Sequence, residues 1–168
     1  TGSGGRPGMD GVDCVHAGMT NTMNTPIEEI ERNLPVIMLR YGLRRNSSGA
    51  GQFRGGSGIV RAYLITSGKA TVTVLADRGR PAPWGMEGGL PGAATKVFVK
   101  KGKRKFKADT KFTVELEAGD YFEIRTAGGG GYGKPENREP ERIKGDVENG
   151  IITPSYAKKN YHYVFRSI

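Results

Sequence analysis

The sequence predicts a mainly β fold: one compact, glycine-rich β domain, sandwich or barrel-like, with a short N-terminal helix and a C-terminal helical hairpin. Three observations predict it. Glycine supplies 27 of 168 residues and proline 9, a glycine share of roughly 16% against an ordinary ~7%. Both residues break helices, which argues against an α bundle, and the absence of a G-X-Y period excludes collagen. The apolar segments are short, and one of them, 69–76, alternates with period two, the spacing of a half-buried strand. The hydrophobic share of 36% and charged share of 26% sit in the globular rather than the disordered range.

The elements follow in order. Residues 1–25 are loop-like, with Gly2, Gly4, Gly5, Gly8, Gly11 and Gly18 set among polar residues. Thr25-Pro26-Ile27-Glu28 predicts a capping box, with Thr25 as the cap and Pro26 at the first helical position. Pro35 disfavours helical geometry at Leu34, so that helix is short. Strands are expected at 36–44, 59–65 and 69–76, the last two joined by Thr66-Ser67-Gly68, a connection of hairpin size. Residues 77–95 form a long Pro/Gly loop around Trp84, whose bland role is a packing anchor and whose alternative is a pocket wall or partner contact. Further strands are expected near 96–100, 111–116 and 121–126. A helix over Glu139–Asn149 ends at Gly150, and another starts at Thr153-Pro154 and runs through Lys159. No internal repeat or dividing linker is visible, so residues 1–168 read as a single domain.

Several function classes fall away on composition. One cysteine, Cys14, rules out an internal disulfide framework and a cysteine-rich zinc site, and the residues around it lack the setting of a catalytic nucleophile. No run of about 18 apolar residues is present to span a membrane. The chain opens with Thr1-Gly-Ser-Gly-Gly rather than Met, and reads as a processed or truncated product. The excess of positive charge, +9, is concentrated in Lys100-Lys101-Gly102-Lys103-Arg104-Lys105-Phe106-Lys107. With one aromatic and no recognisable module, this run reads as a solvated hairpin tip rather than a nucleic-acid patch.

Three segments offer chemistry. Gly128-Gly129-Gly130-Gly131-Tyr132-Gly133-Lys134 fits the GxxxxGK phosphate-loop spacing, but Pro135 stands where a magnesium-ligating Ser or Thr belongs. The helix that would aim its amides at a phosphate does not begin at once, so a backbone held for close packing is the better reading. Asp10, Asp13 and His16 recur three apart in a Gly-rich loop, a carboxylate-plus-imidazole set that suits first-row metals; turn-stabilising carboxylates are the plainer alternative. Thr20, Asn21, Thr22, Asn24 and Thr25 form a polar run able to position a substrate or to fix a loop.

Taken in order, Gly5-Arg6-Pro7-Gly8-Met9-Asp10-Gly11, the stretch His16 to Thr25, Gly49 to Gly58, Asp77-Arg78, Pro83-Trp84-Gly85, Gly88-Gly89, Pro91-Gly92, Glu117-Ala118-Gly119-Asp120 and Thr126 to Gly133 resemble the C-terminal part of the hydantoinase B / 5-oxoprolinase / acetone carboxylase family. The resemblance implies an N-methylhydantoinase B-like piece of a cytoplasmic, multi-subunit, ATP-dependent hydrolase of cyclic amides. It implies ATP and a divalent metal for the whole enzyme, with none bound by this chain. The implied partners are the upstream part of the B-type subunit, an A-type nucleotide-using subunit and a small-molecule substrate, with no nucleic acid and no membrane. The family's metal-ligating motifs lie upstream of the resembling part, which gives Asp10, Asp13 and His16 loop or supporting roles and leaves the catalytic residues unknown. Inactivity of the isolated chain is the expectation, against the alternative of a non-catalytic structural or ligand-binding β domain.

Overall fold

The computed structural model describes residues 1–16 and 22–164. Its elements are α1 (Ile27–Asn33), β1 (Val36–Leu43), β2 (Ile59–Ile65), β3 (Lys69–Leu75), β4 (Lys96–Lys101), β5 (Arg104–Ala108), β6 (Lys111–Glu117), β7 (Tyr121–Arg125), α2 (Pro140–Glu148) and α3 (Pro154–Tyr161), with a single 3-10 turn at Pro135–Asn137. The strands make a five-stranded antiparallel sheet, ordered β1-β2-β7-β4-β5, and a two-stranded ribbon of β3 and β6. The sheet is open, with β1 and β5 at its edges, so of sandwich and barrel it is the sandwich that forms.

The period-two pattern explains the packing. Ala70, Val72 and Val74 on β3 pair with Leu116, Val114 and Phe112 on β6, and this apolar face lies on Ile65, Val97, Val99 and Phe122 of the sheet. The opposite face of the ribbon carries Thr73 and Thr113 side by side and Lys69 paired with Glu115 and Glu117. Alternation of this kind leaves one face buried and one solvated.

Three sequence expectations need correction. Thr25 does not cap α1: Pro26 lies one residue before the helix, in extended geometry and with no side-chain cap bond, which leaves Thr25 too far upstream to reach the first-turn amides. β2 and β3 do not form a hairpin despite their short connection, because β2 fills both its edges with β1 and β7 while β3 crosses to the ribbon. The lysine run is not merely a tip. It forms the end of β4, a turn at Gly102 with φ of +56°, and the whole of β5 to Lys107. The C-terminal helices fall where expected, with Thr153 Oγ1 accepting from the Tyr156 amide and Gly150 in left-handed geometry after α2. Among the described residues no helix is long and apolar enough to cross a membrane.

Candidate functional site

The glycines excluded from the sheet assemble around one extended segment, Ala127–Gly133. Side-chain atoms are missing there for a geometric reason. A Cβ on Gly128 would lie 1.9 Å from the Ser47 carbonyl oxygen, one on Gly129 1.7 Å from that of Ser3, one on Gly130 1.8 Å from that of Trp84, and one on Gly131 2.1 Å from that of Ala50. The fourth contact returns to the chain segment of the first. A repeat of three residues per turn is that of the polyproline II helix, which has no internal hydrogen bonds and so offers its amides outward on all sides. Here they are taken by neighbours. Gly128 donates to Ala93, Gly129 to Gly56, Gly131 to Leu90, Tyr132 to Phe53 and Gly133 to Met86, while Gly2, Gly49 and Gly5 donate to the carbonyls of Ala127, Gly129 and Gly130. The glycine clusters therefore pack against one another within this chain. Residues 128–131 are buried, and the amides of Gly128, Gly129, Gly131, Tyr132 and Gly133 are spent, so the loop lacks the run of free amides that cradles a nucleotide phosphate.

Charge ties this bundle to the C-terminal helices. Arg54 and Arg138, with side chains 8% and 1% exposed, are held by Asp10, Asp13 and Asp146. Arg138 reaches Asp10 Oδ1 and Oδ2 at 2.7 and 2.9 Å and Asp146 Oδ2 at 2.8 Å. Arg54 donates from Nε to Asp146 Oδ1 at 3.0 Å and from Nη1 to Asp13 Oδ1 at 3.0 Å. Backbone amides complete the set, Arg54 N to Asp10 and Ser57 N to Asp13. Burial alone would raise both carboxyls, but the guanidinium and amide donors outweigh it and hold Asp10 and Asp13 below the ordinary aspartate range. Burial likewise disfavours charge on Arg54 and Arg138, and their carboxylate partners reverse it, so both stay firmly cationic.

Beside this network the bundle opens a cavity of about 380 Å³ whose floor is Ala127–Gly131 and whose walls are Thr1–Gly5 on one side and Pro83, Trp84 and Met86 on the other. Arg78 stacks over Trp84 at 4.9 Å from the ring centroid. Trp84 is 62% exposed, a cleft wall rather than a buried anchor. A planar, polar small molecule between the indole-guanidinium stack and the backbone floor is what this shape accommodates.

The predicted site residues are dispersed. Asp10 and Asp13 are in the ion-pair network, and His16 is exposed. Asn24 accepts from the Arg61 guanidinium, and Thr22 is exposed. Thr20 and Asn21 lie outside the described residues. Burial pushes the Cys14 thiol up from its ordinary value, and its Sγ points at the Ser57 and Gly58 carbonyls. Among the described residues no three His, Cys, Asp or Glu side chains gather as metal ligands, so they do not fit a metal either. Sequence reasoning missed Arg54, Arg138 and Asp146. Their signal was faint: arginine and aspartate on segments otherwise chosen for burial, where an unpaired charge is not tolerated.

Comparison with known proteins agrees with this architecture. A sequence model described as Hydantoinase B/oxoprolinase matches residues 1–135. The chain is 46% identical over 139 residues to an uncharacterized protein of Methanocaldococcus jannaschii, covering 83% of this chain and 24% of that protein. It is 35% identical over 167 residues to the B-type subunit of a putative D-/L-hydantoinase of Pseudomonas sp., covering 94% and 27%. With 5-oxoprolinase 1 of Arabidopsis thaliana the identity is 38% over 133 residues, 79% of this chain and 10% of that protein. Among solved structures, an ATP-dependent caprolactamase from Pseudomonas jessenii superposes with a TM-score of 0.82 at 25% identity, over 99% of this chain and 30% of that one. Acetone carboxylase shares the fold, with a TM-score of 0.85 at 21% identity over 99% of this chain and 26% of that one. The chain thus spans about a quarter or less of the relatives it matches. With the family model matched across most of its length, the chain belongs to the hydantoinase B/oxoprolinase family.

Proposed function

We propose that this chain is the C-terminal domain of a B-type subunit of an ATP-dependent cyclic-amide hydrolase, of the hydantoinase/5-oxoprolinase type. On this reading it lends a wall to the substrate site and surfaces to subunit assembly, and does not turn over substrate alone. The observation that carries it is the spending of the chemical groups: the carboxylates and glycine amides that a catalytic centre would use are engaged in holding the fold. Ring opening of a cyclic amide needs an activated carbonyl and a positioned water, and among the described residues no carboxylate or imidazole lines the cleft and no metal-ligand set gathers. The relatives' activities, 5-oxoprolinase and hydantoinase, support the substrate class, and the ATP-dependent caprolactamase supports the nucleotide requirement. Nucleotide and metal chemistry belongs on this reading to the upstream part of the B-type subunit and to an A-type partner, in the cytoplasm.

The test is reconstitution. The purified chain is assayed for ATP-dependent hydrolysis of 5-oxoproline and of hydantoin, alone and with the upstream part and an A-type partner added. No turnover alone and turnover on addition is the expected pattern. Hydrolysis by the isolated chain would overturn it. If addition restores nothing, the alternative of a non-catalytic ligand-binding domain stands in its place.

A further inference from the structure

The face of the five-stranded sheet turned away from the ribbon is arranged in cross-strand rows. The first row, from one edge of the sheet to the other, is Lys105, Lys100, Tyr121, Leu64 and Ile37. The second is Lys107, Phe98, Glu123, Ala62 and Arg40. The third places Lys96 against Arg125. Cations crowd the β4–β5 side, and the β1 side, Arg40 apart, carries apolar groups, with Ile37 and Leu39 45% and 54% exposed. Between them lies a cavity of about 630 Å³.

Two features make this face unsatisfied as it stands. Lys100 sits directly across from Lys105, and Lys96 directly across from Arg125. Like charges so placed destabilise a strand pair. Glu123 is the one carboxylate in these rows. It is already committed, buried between the Tyr121 hydroxyl and Arg125 Nε, both of which donate to it. Lys96, Lys100, Lys105, Lys107 and Arg40 have no salt-bridge partner among the described residues. Arg125 is also drawn over the Phe98 ring, at 4.8 Å from its centroid, so the aromatic surface nearest the cations is covered.

We propose that this sheet face docks an acidic segment of a partner protein, one that carries carboxylates in one half and apolar side chains in the other. Its carboxylates offset the facing lysine and arginine pairs, and its apolar residues cover Leu39, Leu64 and Ile37. Nucleic acid fits less well. Phe98 is closed to base stacking beneath Arg125, and the β1 third of the face asks for apolar contact. Register and charge carry this assignment, independently of the catalytic reading above.

The experiment follows fluorescence anisotropy of a labelled peptide with glutamates in one half and valines and leucines in the other, titrated with the 168-residue chain at low salt. Saturable binding is expected, weakened about tenfold by Lys100→Glu, since charge complementarity sets such encounters. The same substitution turns a like-charged pair with Lys105 into an opposite one but sets a carboxylate near Asp120, so its melting temperature is expected to stay close to the parent's; weaker binding by an equally stable protein excludes unfolding as the cause. Lys158→Glu, on the distant α3, is expected to leave binding unchanged. The proposal is overturned if the peptide does not bind, if K158E weakens it as much as K100E, or if a labelled single-stranded oligonucleotide binds more tightly than the peptide. A salt-sensitive dimer of the chain that K100E dissolves would make the occupant a second copy and would equally overturn it.

Discussion

Arg138 reaches Asp10 on the N-terminal arm with both terminal nitrogens and Asp146 on α2 with one, so its truncation removes the main partner of Asp10 and leaves the buried Asp146 on Arg54 alone. Arg138→Ala is expected to lower unfolding stability by about 3–5 kcal/mol, the range for breaking one side of a buried pair, read from urea denaturation. Replacing one partner of an exposed pair, as in Lys144→Ala beside Glu148 at 3.9 Å, is expected to change stability by less than ~0.5 kcal/mol. The same network fixes the acid response. Asp10 and Asp13 ionise more readily folded than unfolded, so their contribution is fully present above the unfolded value, near 4. It is lost as pH falls through the folded values. Urea midpoints are therefore expected to hold through the mildly acidic range and drop below about pH 4, and Asp10→Asn/Asp13→Asn is expected to start lower and fall less steeply. A loop or supporting role for Asp10 and Asp13 was among the sequence expectations, but their partners were not legible: three aspartates and two arginines spread from position 10 to position 146 carry no spacing that distinguishes a salt-bridge network from a ligand set.

At the scale of elements, glycine means two different things, and substitution separates them. Gly145 lies inside α2 with nothing within 4 Å of an added Cβ, so Gly145→Ala is expected to raise stability by roughly 0.5–1 kcal/mol through helix propensity and unfolded-chain entropy. Gly129 meets the Ser3 carbonyl at 1.7 Å from the same added atom, and that neighbour is backbone, unable to rotate aside. Gly129→Ala is expected to destabilise by more than ~3 kcal/mol, and the paired melting curves check both directions. The strands were largely readable, because alternation and β-branched runs are local signals: Ile59–Ile65 falls where the pattern places it. What eluded the sequence was pairing. β2 and β3 are neighbours along the chain with different partners, a choice made by the sheet as a whole. β5 was hidden because Arg104–Ala108 alternates lysine or arginine with apolar residues that only its partner β4 reveals as a strand.

For the whole molecule, two cores and a side-chain-free bundle divide the labour. The sandwich core around Val97, Val99 and Leu116 and the helical core around Ala50, Ile143, Ile152 and Tyr161 bury apolar side chains in the ordinary way. The bundle between them is held by backbone hydrogen bonds, and it sets the cleft. The resemblance read from the ordered glycine motifs reached the family, while which glycines pack on which emerged only in three dimensions. That arrangement has a consequence for synthesis. Gly2 and Gly5 donate to Ala127 and Gly130, partners some 125 residues further along. The N-terminal arm therefore cannot find these partners on the ribosome until residues 127–130 have emerged. Closure over so long a loop is intrinsically slow, and a nascent chain halted before Gly128 is expected to show the arm open to protease while the first strands are already protected.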